Sequence, residues 1–187
     1  MKPCLVTICL SVSLVALIPV EGFSEPIRAS MQTEQISDKH APNIDKNIET
    51  EVMKMTSQVD RVVFLKSIMA NNQGESPENN LQKATALRLM GEYGGSNAIP
   101  VLIENLEYQE AKHHDTPSVS ALAAIGEPAV QPLLGVVGAP GNKQRTSLAV
   151  QALMAIKGSG YAEFVEEQKG HMSAEAWKNL LRYAIED

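Results

Sequence analysis

The sequence predicts an all-α protein: a short α-solenoid of antiparallel helix pairs, with capping helices at both ends. Three observations predict it. An Ala- and Leu-rich stretch occurs three times, a second apolar stripe follows each copy, and the second stripes recur at a fixed interval. Ala84, Ala86, Leu87 and Met90 align with Val119, Ala121, Leu122 and Ile125, and again with Val150, Ala152, Leu153 and Ile156. The second stripe reads Ile99, Leu102, Ile103, Leu106, then Val130, Leu133, Leu134, Val137, then Tyr161, Phe164, Val165, Gln168, with a constant offset between sets. Steps of three and four are the helical period. Self-similarity at a fixed interval, with two helices per unit, is the mark of stacked helix pairs.

Residues 1–24 read as a secretory signal peptide. Lys2 precedes the apolar run "CLVTICLSVSLVALIPV", which Glu21, Gly22, Phe23 and Ser24 interrupt. The run is short for a membrane span, which takes about 20 apolar residues. The expected location is therefore outside the cytoplasm, periplasmic or extracellular, with no membrane insertion once the leader is removed. Cys4 and Cys9 both lie in this leader, so the mature chain would hold no disulfide and no thiolate nucleophile. Residues 25–47 are polar and weakly periodic, which predicts a flexible segment.

Residues 48–187 carry the helical-repeat domain. Ile48, Val52, Met55, Val59 and Val62 form one stripe and predict a helix over 48–70 that packs on the domain and closes one end. Its Val59, Val62 and Val63 echo the second-helix stripe, as half of a degenerate repeat would, and Asp60 and Arg61 read as surface residues. Repeat units follow at about 76–112, 116–138 and 142–169. Ser76-Pro77 and Thr116-Pro117 each pair a helix cap with a first-position proline. Gly91, Gly126 and Lys157-Gly158 are the expected turns between paired helices. The first helices of units one and two are further apart than those of units two and three, and the extra residues fall in "GEYGGSN". Pro128 suits a first turn, whereas Pro132 should bend its helix or push its start downstream. A last helix over 173–186, begun by Ser173 with Trp177, Leu180, Leu181 and Ala184 on one face, caps the other end.

The segments "ALRLMGEYGGSNAIPVLIENL" and "ALAAIGEPAVQPLLGVV" resemble HEAT-type repeats, in particular the short PBS-lyase HEAT-like kind. In that family an Ala/Leu-rich first helix ends in glycine and a short turn leads to a proline-containing second helix. "ALMAIKGSGYAEFVEEQ" departs from the pattern at Lys157, Tyr161 and Phe164. The resemblance spans about Leu81 to Gln168. It implies a scaffold or regulatory role. Some members are associated with attaching or removing bilin chromophores, but no residue of that chemistry carries over to this chain.

A formal net charge of −6 argues against a phosphate-backbone partner. No cofactor motif is present: the glycines of Gly91–Asn97 lack a preceding strand and a following Lys-Ser/Thr, and no serine sits in a nucleophile elbow. Glu110, His113, His114 and Asp115 are candidate ligands for a divalent ion, since Glu110 and His114 would share a face if the helix extends that far. The plain alternative is a polar helix end. Tyr93, in the expanded turn, is a candidate exposed aromatic anchor. Glu104, Glu107 and Glu110 form a candidate acidic interaction face, echoed by Glu163, Glu166 and Glu167, which would favour a basic partner surface. The leading expectation is an exported protein-interaction or scaffold module without catalytic activity of its own. Two alternatives stand beside it: an enzyme or enzyme accessory with a ligand or metal near Gly91–Asn97 and Glu110/His114, and a purely structural domain.

Overall fold

A computed structural model describes residues 41–72, 74, 76–110, 116–139 and 141–184, all within the unit Ile36–Asp187. The expected leader, residues 25–40 of the polar segment and residues 185–187 lie outside the described residues. Among the described residues the regular structure is all helical. The helices are α1 (Ala41–Lys54), α2 (Gln58–Asn71), α3 (Pro77–Tyr93), α4 (Ile99–Glu104), α5 (Pro117–Ile125), α6 (Val130–Gly138), α7 (Lys143–Lys157), α8 (Tyr161–Glu167) and α9 (Ala174–Ala184). Tight 3₁₀ turns at Gly95–Ala98, Glu127–Ala129 and Gly158–Gly160 lead into α4, α6 and α8.

The helices pair in antiparallel fashion and the pairs lie side by side. The first helices form a continuous row: α1 packs on α3, α3 on α5, α5 on α7 and α7 on α9. The second helices cover this row, with α2 against α3, α4 against α5, α6 against α7 and α9, and α8 against α7 and α9. The second helices start at Ile99, Val130 and Tyr161, which keeps the constant offset of the sequence pattern. Their fourth residues, Leu102, Leu133 and Phe164, are all buried. In the first row Ala86, Ala121 and Ala152 are buried beside Leu87, Leu122 and Leu153. Small side chains allow close approach of neighbouring helices, and the leucines fill the space toward the second row.

Local chemistry fixes where each helix starts. Ser76 Oγ accepts the Asn79 N–H at 3.1 Å and Asn142 Oδ1 accepts those of Gln144 and Arg145 at 3.0 and 3.3 Å. Ser173 Oγ accepts the Ala176 N–H at 3.2 Å. Each satisfies donors that a helix start leaves unpaired. Pro132 is the third residue of α6, where its missing N–H has no intrahelical partner to lose, so it does not delay the helix start, which lies at Val130.

Three local features differ from the sequence expectation. The helix expected over 48–70 is two helices, and α1 begins at Ala41, inside the segment expected to be flexible. The break falls at Met55–Ser57, where Ser57 caps α2 and Arg61 Nε and Nη2 donate to the Met55 carbonyl at 3.0 and 2.7 Å. Arg61 is therefore a joint-forming residue rather than a plain surface one. The second difference is Gly91, which closes no turn: α3 continues through it to Tyr93. A Cβ at Gly91 would lie 2.5 Å from Ala121 Cα, so this glycine lets α3 and α5 touch backbone to backbone. The third is "GEYGGSN", which is no protruding loop. It prolongs α3 by a turn and supplies the 3₁₀ turn before α4.

Candidate functional site

The expected site residues separate into three places. Tyr93 is partly buried against the core rather than free as an anchor. Its Oη donates to Glu49 Oε1 of α1 at 3.3 Å, and the Arg61 guanidinium stands 5.9 Å from its ring centre. The Glu92 carboxylate, ahead of partial burial and the charge of Glu49, pushes the Tyr93 phenol up to about 12 from 10.0. The folded state thus favours the neutral phenol. Its contribution to stability is complete below pH 10 and is lost as the pH rises through about 12. Following phenolate absorbance in alkali, Tyr93→Phe should lose one late-ionising tyrosine that the wild type shows.

Glu110 belongs to neither an exposed acidic face nor a helix shared with His114. The helix α4 ends at Glu104 because Asn105 leaves it: Asn105 Nδ2 donates to the Val101 carbonyl at 2.9 Å, and Ser118 Oγ donates to the Asn105 carbonyl at 2.9 Å. The chain then turns inward. Glu110 is 5 % exposed and its Oε2 accepts from Arg88 Nη2 at 2.6 Å. Beside it the Tyr108 phenol is pushed up, by burial first and by Glu110 second. Its Oη donates to the Asn80 carbonyl at 2.8 Å, and the Lys83 ammonium sits 4.4 Å from its ring centre. This cluster fastens the segment after α4 to α3. Replacing Arg88 by methionine would leave a buried carboxylate without its cation. Arg88 is 42 % exposed, so the expected loss is about 1–2 kcal/mol rather than the ~3–5 of a fully buried pair. Urea unfolding checks this, and Glu110→Gln in the same background should recover part of the loss. His113, His114 and Asp115, the other candidate ligands, lie outside the described residues. Among the described residues no three metal-capable side chains gather.

Glu104 is exposed and Glu107 half-buried. Glu107 Oε1 accepts from Asn142 Nδ2, the side chain whose Oδ1 caps α7. This contact ties the turn after α4 to the start of α7, beside the outer side of α6. That side is the unexpected feature. Val130, Leu133, Leu134 and Val137 of α6 face the core. Pro132, Gly135 and Gly138 are exposed on the rest of the helix, and α6 bears no ionisable side chain at all. A groove of about 430 Å³ runs along Pro132, Gly135, Val136 and Ala139 and is closed by Asn142 and Arg145 of the following segment.

The repeat register makes the contrast plain. Gly135 occupies the place that Glu104 holds in the preceding second helix and Glu166 in the following one, and both glutamates are exposed. An acidic residue on the second helices of the flanking units is thus replaced by glycine in the central one. Among the described residues a Cβ at Gly135 would meet nothing within 4 Å, and the residue has ordinary helical backbone angles. Glycine inside a helix costs about 1 kcal/mol relative to alanine. Among the described residues no close approach requires that cost here, in contrast to Gly91.

The low charge of α5 and α6 has a partial explanation in the core. Leu122, Leu133 and Val137 are fully or almost fully buried, as the central pair of a stack demands. Among the described residues no single helix is long and apolar enough to cross a membrane, and α5 and α6, which reach that composition only together, meet at a bend of 115°. No protein-family model, no curated protein and no solved structure matches this chain.

Proposed function

We propose that this chain is an exported, HEAT-like helical-repeat module that binds a protein partner through its second-helix row and carries no catalytic activity of its own. The observation that carries the reading is the outer side of α6: an exposed strip without ionisable side chains, with a groove along it. Glu104 and Glu107 lie on one side in the repeat order, and Glu163, Glu166 and Glu167 on the other. Core packing accounts for the inward residues of α6 but not for its exposed proline and glycines. Depletion of charged residues is the usual composition at the centre of a protein interface. Export rests on the leader pattern of residues 1–24, and the HEAT-like assignment on the repeat motifs.

Affinity capture from a native cell-envelope fraction tests the proposal. The wild type should retain a specific partner that Gly135→Lys releases, while both proteins stay monodisperse and equally helical. A wild type that retains nothing would overturn the interaction reading.

A further inference from the structure

We infer that the α1–α2 end of the helix row binds a second copy of this chain, with the two α2 helices packed antiparallel about a two-fold axis at Val63. The inference is independent of the α6 strip. Among the described residues the large hydrophobic side chains left exposed are Met53, Val59 and Val63, at 59, 53 and 61 %. Met53 lies in the last turn of α1 and Val59 in the first turn of α2, on either side of the joint that Arg61 fastens. The repeat register shows what is unusual about the two valines. Val62 holds the stripe place of Leu102, Leu133 and Phe164, and all four are buried. Val59 holds the place of Ile99, Val130 and Tyr161, which are buried, and Val63 that of Leu134 and Val165, which are buried too. Thus α2 keeps the apolar stripe of a second helix, but no described element covers part of it. Terminal units of a stack ordinarily turn a polar face outward. The opposite end does so: Trp177 is half-buried, its Nε1 donates to the Val165 carbonyl, and the Lys169 ammonium stands 5.2 Å from its ring centre.

Charge selects the occupant and its direction. Residues 41–71 hold four acidic and four basic side chains, so this end is neutral in a chain whose formal net charge is −6. Two copies therefore meet here without the repulsion that their acidic remainder would bring. On α2, Asp60 and Lys66 are exposed three residues before and three after Val63, about 4.5 Å along the axis to either side. Neither makes an ion pair among the described residues. Antiparallel pairing about Val63 brings Asp60 level with Lys66 of the second copy, twice by symmetry, and sets Val63 against its own equivalent. Parallel pairing would set Asp60 against Asp60 and Lys66 against Lys66. With 14 residues α2 is about 21 Å long, and one pair of such helices buries less than the ~800 Å² per partner of a standard interface. The dimer is accordingly reversible.

Sedimentation velocity of the purified full chain across a wide concentration range tests this. The wild type should pass from monomer to dimer as concentration rises. Val63→Lys places two ammonium groups on the two-fold axis and should raise the dissociation constant by roughly tenfold or more. Because Val63 is exposed, that variant should keep the helicity and melting transition of the wild type, which circular dichroism checks. Asp60→Lys and Lys66→Asp should each stay monomeric alone where the wild type is dimeric, since each sets like charges level with one another at both contacts. An equimolar mixture of the two should form a heterodimer. A wild type that is monomeric at every concentration, association unchanged in a folded Val63→Lys, or a mixture of the charge variants that remains monomeric would each overturn the inference. None of these outcomes bears on partner capture through α6, which Gly135→Lys tests separately.

Discussion

Leu133→Ala is expected to lower the free energy of unfolding by about 3 kcal/mol, within the ~2–5 range of leucine truncations in packed cores. Leu133 is fully buried and belongs to the central helix pair, with structure stacked on both sides. The site therefore has little freedom to collapse around a lost side chain. Because each pair in a stack is stabilised by its neighbours, the loss should appear in a single shared transition rather than as local fraying. Denaturant unfolding followed by circular dichroism and by Trp177 fluorescence checks both points. Trp177 lies in α9, with its Nε1 donating to the Val165 carbonyl at 3.2 Å, so it reports from the far end of the row. Coincident curves with a lowered midpoint are expected. A loss below about 1 kcal/mol, of the size usual for surface substitutions, would mean that Leu133 is not in a packed interior.

Alanine at Gly91 and alanine at Gly135 should have opposite effects, although both glycines lie within helices. At Gly91 the added Cβ would lie 2.5 Å from Ala121 Cα and 2.9 Å from the Ala121 carbonyl oxygen. Those are backbone atoms, and they yield only if α3 and α5 separate. Overpacking of this kind costs about 1–3 kcal/mol and sometimes more, which outweighs the gain of roughly 1 kcal/mol in helix propensity. The expected net loss is about 1–2 kcal/mol. At Gly135 nothing among the described residues lies within 4 Å of the added carbon, so the propensity gain remains and the protein is expected to become more stable. The melting temperatures of the two variants should therefore fall on either side of the wild type. Stabilisation of both would show that α3 and α5 do not make the close approach described.

Much of this was legible in the residues. The constant offset between the stripes of Leu102, Leu133 and Phe164 predicts equivalent places for them, and each is the buried fourth residue of its helix. Ser76 and Ser173 cap the helices they precede, whereas Thr116, read as a cap from the same Pro-following pattern as Ser76, makes no side-chain cap bond to α5. What was illegible depends on contacts distant in the chain. The Met55–Ser57 break is hidden because the apolar stripe runs straight through it, while the carbonyl it frees is taken up by Arg61. Gly91 resembles Gly126 in the repeat register, yet Gly126 ends α5 at a φ of +78° and Gly91 does not end α3. The difference lies in the tight contact with Ala121, which no local pattern announces.

The candidate site divides in the same way. Glu110 reads as the third member of an exposed row at a spacing of three. It is drawn inside by Arg88, 22 positions earlier in the chain. The uncharged outer side of α6 is within reach of the sequence, since aligning residues 104, 135 and 166 places glycine between two glutamates. It is easily passed over because a repeat is read first through its matching apolar positions, and Gly135 is informative by failing to match.

The central claim is that helix pairs recur at a constant offset, seen in the starts at Ile99, Val130 and Tyr161, and stack in register. Deleting one whole period, Gly126 through Ile156, tests it most directly, because the cut joins α5 to the 3₁₀ turn before α8 in the same register. A control deletion, Gly126 through Leu153, ends about one helical turn short. The shortened protein with the whole period removed should remain helical and unfold cooperatively at lower denaturant, while the control should lose its cooperative transition. Equal behaviour of the two deletions, both unfolded or both folded, would contradict the account.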